Sequence, residues 1–361
     1  MIPPTALPVL ALCMAGLAAV LALLVVVTKT SRQLRERSAG AAAAPHRRAL
    51  VVVGTDEDDD GAGMAHLLGV DRRSWRSLAP AVVAMLSKVR GKPAQDLGQV
   101  LRAHGDVDHA RADLRSRSVV SRARAAYLLG LVKDPAHVAD LLPLLSDRSA
   151  EVRHVAVRAL GAIGDPRAAP GVLDALLPVR GRVGVPADLA AEALLSMGVG
   201  AASAVRDGLF SHDPVVRNVS AMVAGQNNLS SVAARLRELL RVDHDLDVRK
   251  SCAEALGLVG GTDDVDELAR HTEASEPPTL RRACAAALGE LGDPGATDVL
   301  LGLLPDSDRR LAEVAAHALI RLGPVGMARL EAVRGDGSAA RVARAVLVAA
   351  RLPDCHEAIA G

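Results

Sequence analysis

The residues best placed to do chemistry are arginines. Arg122, Arg153, Arg217, Arg249 and Arg281 recur at steps of about 31 to 32 residues or twice that, the spacing of a structural repeat. A guanidinium is permanently charged and presents five donors in a planar fork, so a row of them suits bidentate capture of phosphate or carboxylate. The same row can serve the chain itself. Each Arg then pairs with an acidic or carbonyl group in an adjacent turn, such as Asp147, Asp213 or Asp245, and together they form an ion-pair ladder.

Other reactive side chains carry less. Eleven histidines are scattered without an H-E-x-x-H or an i, i+4 pair on one helix face. His104 and His109 flank Gly105 and read as helix-end residues. Cys252 and Cys284 occupy the small-residue slot filled by Ala156 and Ala315 elsewhere, so they read as core residues, and no C-x-x-C occurs. Asp56, Asp58, Asp60 and Gly61 match the first half of a calcium loop, but its twelfth position is Leu67 rather than a bidentate Glu. Those aspartates are better suited to capping a helix through Met64 to Leu68. Neither G-x-x-x-x-G-K-[ST] nor G-x-S-x-G is present. No catalytic residue, metal ligand or cofactor site is assigned.

The elements that position these residues are helices. In 151–166, apolar residues fall at Val152, Val155, Leu160 and Ile163 with Ala156 and Ala159 between them, which is one face of an amphipathic helix. The stripe returns at Val248–Val259, Leu280–Leu291 and Leu311–Leu322. Shorter helices are expected before them, at Pro135–Leu145, Pro166–Leu177, Ser230–Leu240 and Pro294–Leu304, with an early pair at Ala79–Arg90 and Ala94–His104. The joints repeat as Asp134-Pro135, Gly164-Asp165-Pro166 and Gly292-Asp293-Pro294. Gly ends one helix in a left-handed conformation, Asp caps the next, and Pro occupies a first-turn position that has no use for its amide. The stretch RALVVV in 48–53 reads as a short helix rather than a strand.

The pattern D-x-x-V-R-x-x-A-x-x-A-L-G-x-I-G-D-P resembles the HEAT-like repeat first described in phycobilin lyases and common in bacterial proteins. The resemblance covers about residues 75 to 350. It implies an all-α solenoid of stacked antiparallel helix pairs, and it favours the structural reading of the Arg ladder. It also implies a concave surface for partner binding, made of Tyr127, His154, Arg158, Asn218, Met222, Lys250, Glu254, Arg282, Glu313 and His317. Two units depart from the pattern. The helix around Ala187–Met197 lacks the Arg, and Val216–Asn227 replaces the L-G with Ala224-Gly225; these are places of irregular stacking or docking. A second HEAT-repeat family, the deoxyhypusine hydroxylases, holds two irons through several His-Glu pairs, whereas this chain has one, His356-Glu357. No chromophore site of a lyase can be matched.

Composition narrows the function. Lys plus Arg is 43 against 42 Asp plus Glu, and Trp75, Tyr127 and Phe210 are the only aromatics. Near-neutral charge and few stacking platforms argue against nucleic-acid binding. Arg and Ala abundance over Lys suggests a bacterial source. Residues 1–28 carry no charge, and Leu7 to Val27 is apolar apart from Pro8 and Gly16. At 1.5 Å per residue this stretch matches the roughly 30 Å hydrocarbon core. Lys29, Arg32, Arg35 and Arg37 follow it, so a single-pass inner-membrane anchor is expected, N-terminus out and the rest cytoplasmic. The expected order is anchor 1–28, basic linker 29–46, helical acidic cap 47–74, solenoid 75–352 and tail 353–361. The expected function is a non-enzymatic scaffold that binds a protein, with a membrane enzyme as one candidate partner. A lyase-like or metal-dependent enzyme and an anion binder stand as alternatives.

Overall fold

The computed structural model describes residues 44–58, 60–179 and 181–351. The anchor, most of the linker, Cys13, Cys355, His356-Glu357 and the tail lie outside them. Among the described residues the chain is all-α, with twenty α-helices and no strand beyond one isolated bridge between Val179 and Arg182. No single described helix is long and apolar enough to cross a membrane. The chain divides into two compact units, up to Asp113 and from Leu114.

The first unit contains α1 (Arg47–Gly54), α2 (Ala62–Leu68), α3 (Arg72–Leu86), α4 (Lys92–Ala103) and α5 (Asp106–Asp113). The Val-rich stretch is helical because Leu50 and Val53 share one buried face and Gly54 lets Met85 of α3 lie within about 3 Å of where a Cβ would stand. Asp58 accepts the Gly63 and Met64 amides at 2.8 and 2.7 Å, and Asp60 accepts that of Ala62, so both carboxylates serve as caps for α2. The expected Ala79–Arg90 helix instead begins at Arg72 and ends at Leu86. Asp71 caps it, and Trp75, Leu78, Val82 and Leu86 form one buried stripe. Pro80 is tolerated inside because both it and Arg76, whose carbonyl loses a partner, lie on the exposed side. Trp75 stacks on His104 at 3.7 Å and donates to Asp106 at 2.6 Å, which fixes the α3–α4–α5 corner.

In the second unit, long and short helices alternate. The long second helices are α6 (Val119–Val132), α8 (Ala150–Ile163), α10 (Ala187–Ser196), α12 (Pro214–Gln226), α14 (Leu246–Val259), α16 (Pro278–Leu291), α18 (Arg309–Arg321) and α20 (Ser338–Arg351). Between them lie α7 (Val138–Leu141), α9 (Ala169–Asp174), α11 (Ala202–Gly208), α13 (Ala233–Val242), α15 (Val265–Arg270), α17 (Thr297–Leu303) and α19 (Pro324–Glu331). Several of these first helices are shorter than expected. Three of them, α7, α9 and α17, open with a 3-10 turn whose Pro follows a capping Asp (Asp134, Asp165, Asp293), and Pro143 lies in a second 3-10 turn that ends the α7 segment. Each second helix packs on the next one.

Leu129, Leu160, Leu194, Leu256, Leu288 and Leu319 are fully buried at the centre of that packing. Burial of each such side chain contributes roughly 1.5–3 kcal/mol. One residue after Leu129, Leu160, Leu256 and Leu288, and after Ala224 at the same register of α12, stands a glycine. A Cβ on Gly130, Gly161, Gly225, Gly257 or Gly289 would meet the Cα of Ala159, Ala193, Ala255, Ala287 or Ala318 at 2.7 to 2.9 Å. Helices that close tolerate no side chain at the crossing, so Gly against Ala sets the spacing of the stack.

Candidate functional site

The repeated arginines sit in the first turn of the second helices and reach across to the following repeat. Arg122 forms a fork on Asp147, with Nε at 2.7 Å and Nη2 at 2.8 Å, while Nη1 donates to the Ser116 carbonyl. Arg217 does the same with Asp243 and the Ser211 carbonyl. Arg249 ties the Leu240 carbonyl to Glu276, and Arg281 ties the Thr272 carbonyl to Asp306. Each carboxylate stands 25 to 27 residues downstream. Arg153 differs: its donors go to the carbonyls of Asp147 and Val183, the latter in the loop that leads into α10.

Asp213 and Asp245 are therefore not the partners that proximity in sequence suggested. They are N-caps, accepting the amides of Val215 and of Asp247 and Val248. The pairing group lies one repeat further on because the guanidinium, leaning back over its own N-terminal loop and donating to a carbonyl there, turns its remaining donors to the carboxylate of the neighbouring loop. Burial raises the Asp147 and Asp243 carboxyls, but their Arg forks and the Ser149 and Asp245 amides outweigh it, and both titrate below the usual carboxylate range. The guanidiniums of Arg122 and Arg217 are held the more firmly protonated by the same bonds. With their donors committed to the chain, the arginines act as clamps between repeats.

The α14–α16 joint is more elaborate. Glu276 also meets His271 Nδ1 at 2.8 Å, and His271 Nε2 lies 3.3 Å from Glu267. Arg241 donates to Glu267 at 2.7 Å and, chiefly through that bond, holds the Glu267 carboxyl low despite its burial. The two ring nitrogens face different carboxylates, so these groups do not converge on one point. Among the described residues no group of three or more His, Cys, Asp or Glu side chains could hold a metal ion. Cys252 and Cys284 are fully buried, and burial pushes both thiols up to about 12.

The positions expected on a binding face fall at two registers of the second helices, one and five residues after the Arg. Tyr127, Arg158, Glu254 and His317 are exposed; His154, Asn218, Met222, Lys250, Arg282 and Glu313 are half-buried. Some are engaged: Arg282 pairs with Asp308 at 2.8 Å, Glu313 with Arg309 at 2.9 Å, and Asn218 accepts from Ser251. On α10 the same registers hold Asp188 and Glu192, which sequence reasoning passed over because that helix has no Arg to mark the frame. Counting back from the buried Leu194 would have found them.

Where α10 meets α12, the stack opens into a groove of about 730 Å³. Asp188, Glu192, Leu195, Asn218, Met222 and Gln226 stand among its lining residues. The cause is in the sequence. At the register occupied by glycine in α6, α8, α12, α14 and α16, α10 carries Leu195, and the facing Ala register of α12 carries Val223. In the Arg register, α10 carries Ala187. The clamp and the close crossing are lost together. The same two losses occur on α18, with Ala312 and Ile320, and there a second groove of about 810 Å³ opens toward α20.

A family model for HEAT repeats matches residues 107–183, 202–279 and 265–351. A search of curated proteins found no match. Among solved structures, the chain is similar to Kap121p at 12% identity with a TM-score of 0.51, covering 75% of this chain and 35% of that one. It is similar to the complex of CpcE and CpcF of phycocyanin lyase from Nostoc at 22% identity and a TM-score of 0.32, covering 65% of this chain and 91% of that one. It is also similar to human deoxyhypusine hydroxylase at 19% identity and a TM-score of 0.30, covering 78% and 98%. At such identities the likeness concerns the fold alone. The family model, by contrast, spans more than half of the residues, on the helices that carry the Arg clamps and Gly–Ala crossings, and on that ground the chain belongs to the HEAT-repeat family.

Proposed function

We propose that this protein is a membrane-tethered scaffold that holds a partner protein against the face formed by its second helices. One observation carries the reading. The repeated Arg and Gly are absorbed by the joints, whereas the two registers beside them change identity from repeat to repeat and leave Tyr127, Arg158, Glu254 and His317 exposed. A regular frame that presents a varied surface suits recognition of an extended protein surface. The uncharged segment 1–28 supplies the tether and raises the effective concentration of the scaffold near membrane-bound partners.

The test is site-specific photo-crosslinking in the full chain, expressed in its native membrane. A crosslinker at Arg158, Glu254 or His317 is expected to trap one protein reproducibly, and one at Arg206 on α11 is not. Equal trapping at all four positions, or none at the first three, overturns the scaffold reading. Fractionation completes the test: removal of residues 1–28 should move the chain from the membrane pellet to the supernatant, and a chain that stays in the pellet overturns the tether.

A further inference from the structure

We infer that the α10–α12 groove is the docking site for an amphipathic helix of the partner whose apolar stripe is flanked by lysine or arginine. The inference rests on the scaffold reading and specifies which part of the face is used and by what chemistry.

The groove is built rather than incidental. Leu195 and Val223, in place of Gly and Ala, hold α10 and α12 apart, and the buried Ala191 and Val219 line the opened groove together with Met222. Methionine is unbranched and polarisable, so it adapts to an incoming apolar side chain. The charged groups lining the groove are Asp188 and Glu192, one turn apart on α10 and exposed. Among the described residues neither carboxylate has an ion-pair partner. The cations at the same registers of the flanking helices, Arg158 and Lys250, do not line the groove. An apolar floor with one acidic rim complements an apolar stripe with a basic flank.

The walls also decide the conformation of the occupant. Both are helices whose backbone groups beyond the end turns are paired within the helix, so no strand edge is offered to an extended peptide. A segment buried here must satisfy its own amides and carbonyls, which a helix does. The second groove, between α18 and α20, is lined by Asp306, Glu313, Arg309 and Arg341, charges of both signs, and Glu313 is already held by Arg309. It lacks the one-sided rim that assigns an occupant.

The test uses the full chain in zwitterionic nanodiscs and three fluorescent peptides of about 15 residues, long enough to hold helical structure. One has a Leu stripe with Lys flanks, one the same stripe with Glu flanks, and one the Lys sequence with a central Pro. Anisotropy on empty nanodiscs is subtracted. The Lys-flanked helix is expected to bind at least about tenfold tighter than the Glu-flanked one, with the Pro peptide weakest. The double variant D188K/E192K, both positions being exposed, should keep the melting temperature and reverse that order, and Met222→Glu should weaken both helices. Equal affinities, or an order that survives the double variant, overturn the assignment. Crosslinks at Arg158, Glu254 and His317 alongside failed peptide binding would leave the scaffold standing and remove only this groove; absence of both would remove the scaffold as well.

Discussion

The joints α12–α14, α14–α16 and α16–α18 and the joint α10–α12 are made by the same fold with different hardware. In the first three, an Arg clamps the next repeat's carboxylate and a Gly lets the helices close to a backbone-to-backbone crossing. In the last, Ala187 and Leu195 stand at those two registers, and a groove takes the place of the seam. The difference teaches that repeat stacking is held at two points, one electrostatic at the start of each second helix and one steric near its end. Where both are absent, the hydrophobic stripe still joins the repeats, but it leaves room for something else.

The largest effect should come from breaking a clamp. Arg217→Ala leaves Asp243, 3% exposed, without its counter-charge. Truncation of one partner of a buried pair is expected to cost about 3 kcal/mol, read from the urea midpoint. A loss within about 0.5 kcal/mol, as for an exposed pair, would show the clamp to be ornamental.

Next comes the crossing. Gly257→Leu places a side chain 2.8 Å from the Ala287 Cα and should cost about 2–3 kcal/mol by overpacking. In the open joint the same register already holds Leu195, and a volume-conserving change there, Leu195→Met, meets no such wall and should cost less than about 1.5 kcal/mol. Equal losses in the two joints would erase the contrast between them.

The smallest effect is a change in pH dependence. The folded-state pKa of Asp243 lies below its unfolded value of about 4, so its contribution is present above that pH and fades as pH falls through the folded value. Asp147, Glu267 and Asp306 behave alike. The urea midpoint should hold steady from about pH 7 to 5 and drop below about pH 4. Arg217→Ala should show a shallower drop than the parent; an identical pH profile would mean that Asp243 is not held low by the clamp.

Much of this was legible in the residues. The 3.6-residue stripe in 151–166 and its echoes fixed which helices exist, and Gly164-Asp165-Pro166 marked a joint that the structure forms with Gly164 left-handed and Asp165 as cap. The positions of the arginines were legible too, but not all of their partners: Glu276 and Asp306 are distant in sequence, and the nearer Asp213 and Asp245 are caps. Leu195 was written plainly in the chain. Its meaning depends on what lies opposite, which a linear pattern does not state.

What the sequence determined by itself is local. Periodicity, capping residues and Pro placement decide helix identity, because each acts within one or two turns. What only the tertiary structure decided is which side chains meet across repeats: Arg217 with Asp243, Gly257 with Ala287, and the groove that Leu195 and Val223 leave between α10 and α12. Those outcomes depend on the distance and angle between two packed helices, quantities that no single helix contains.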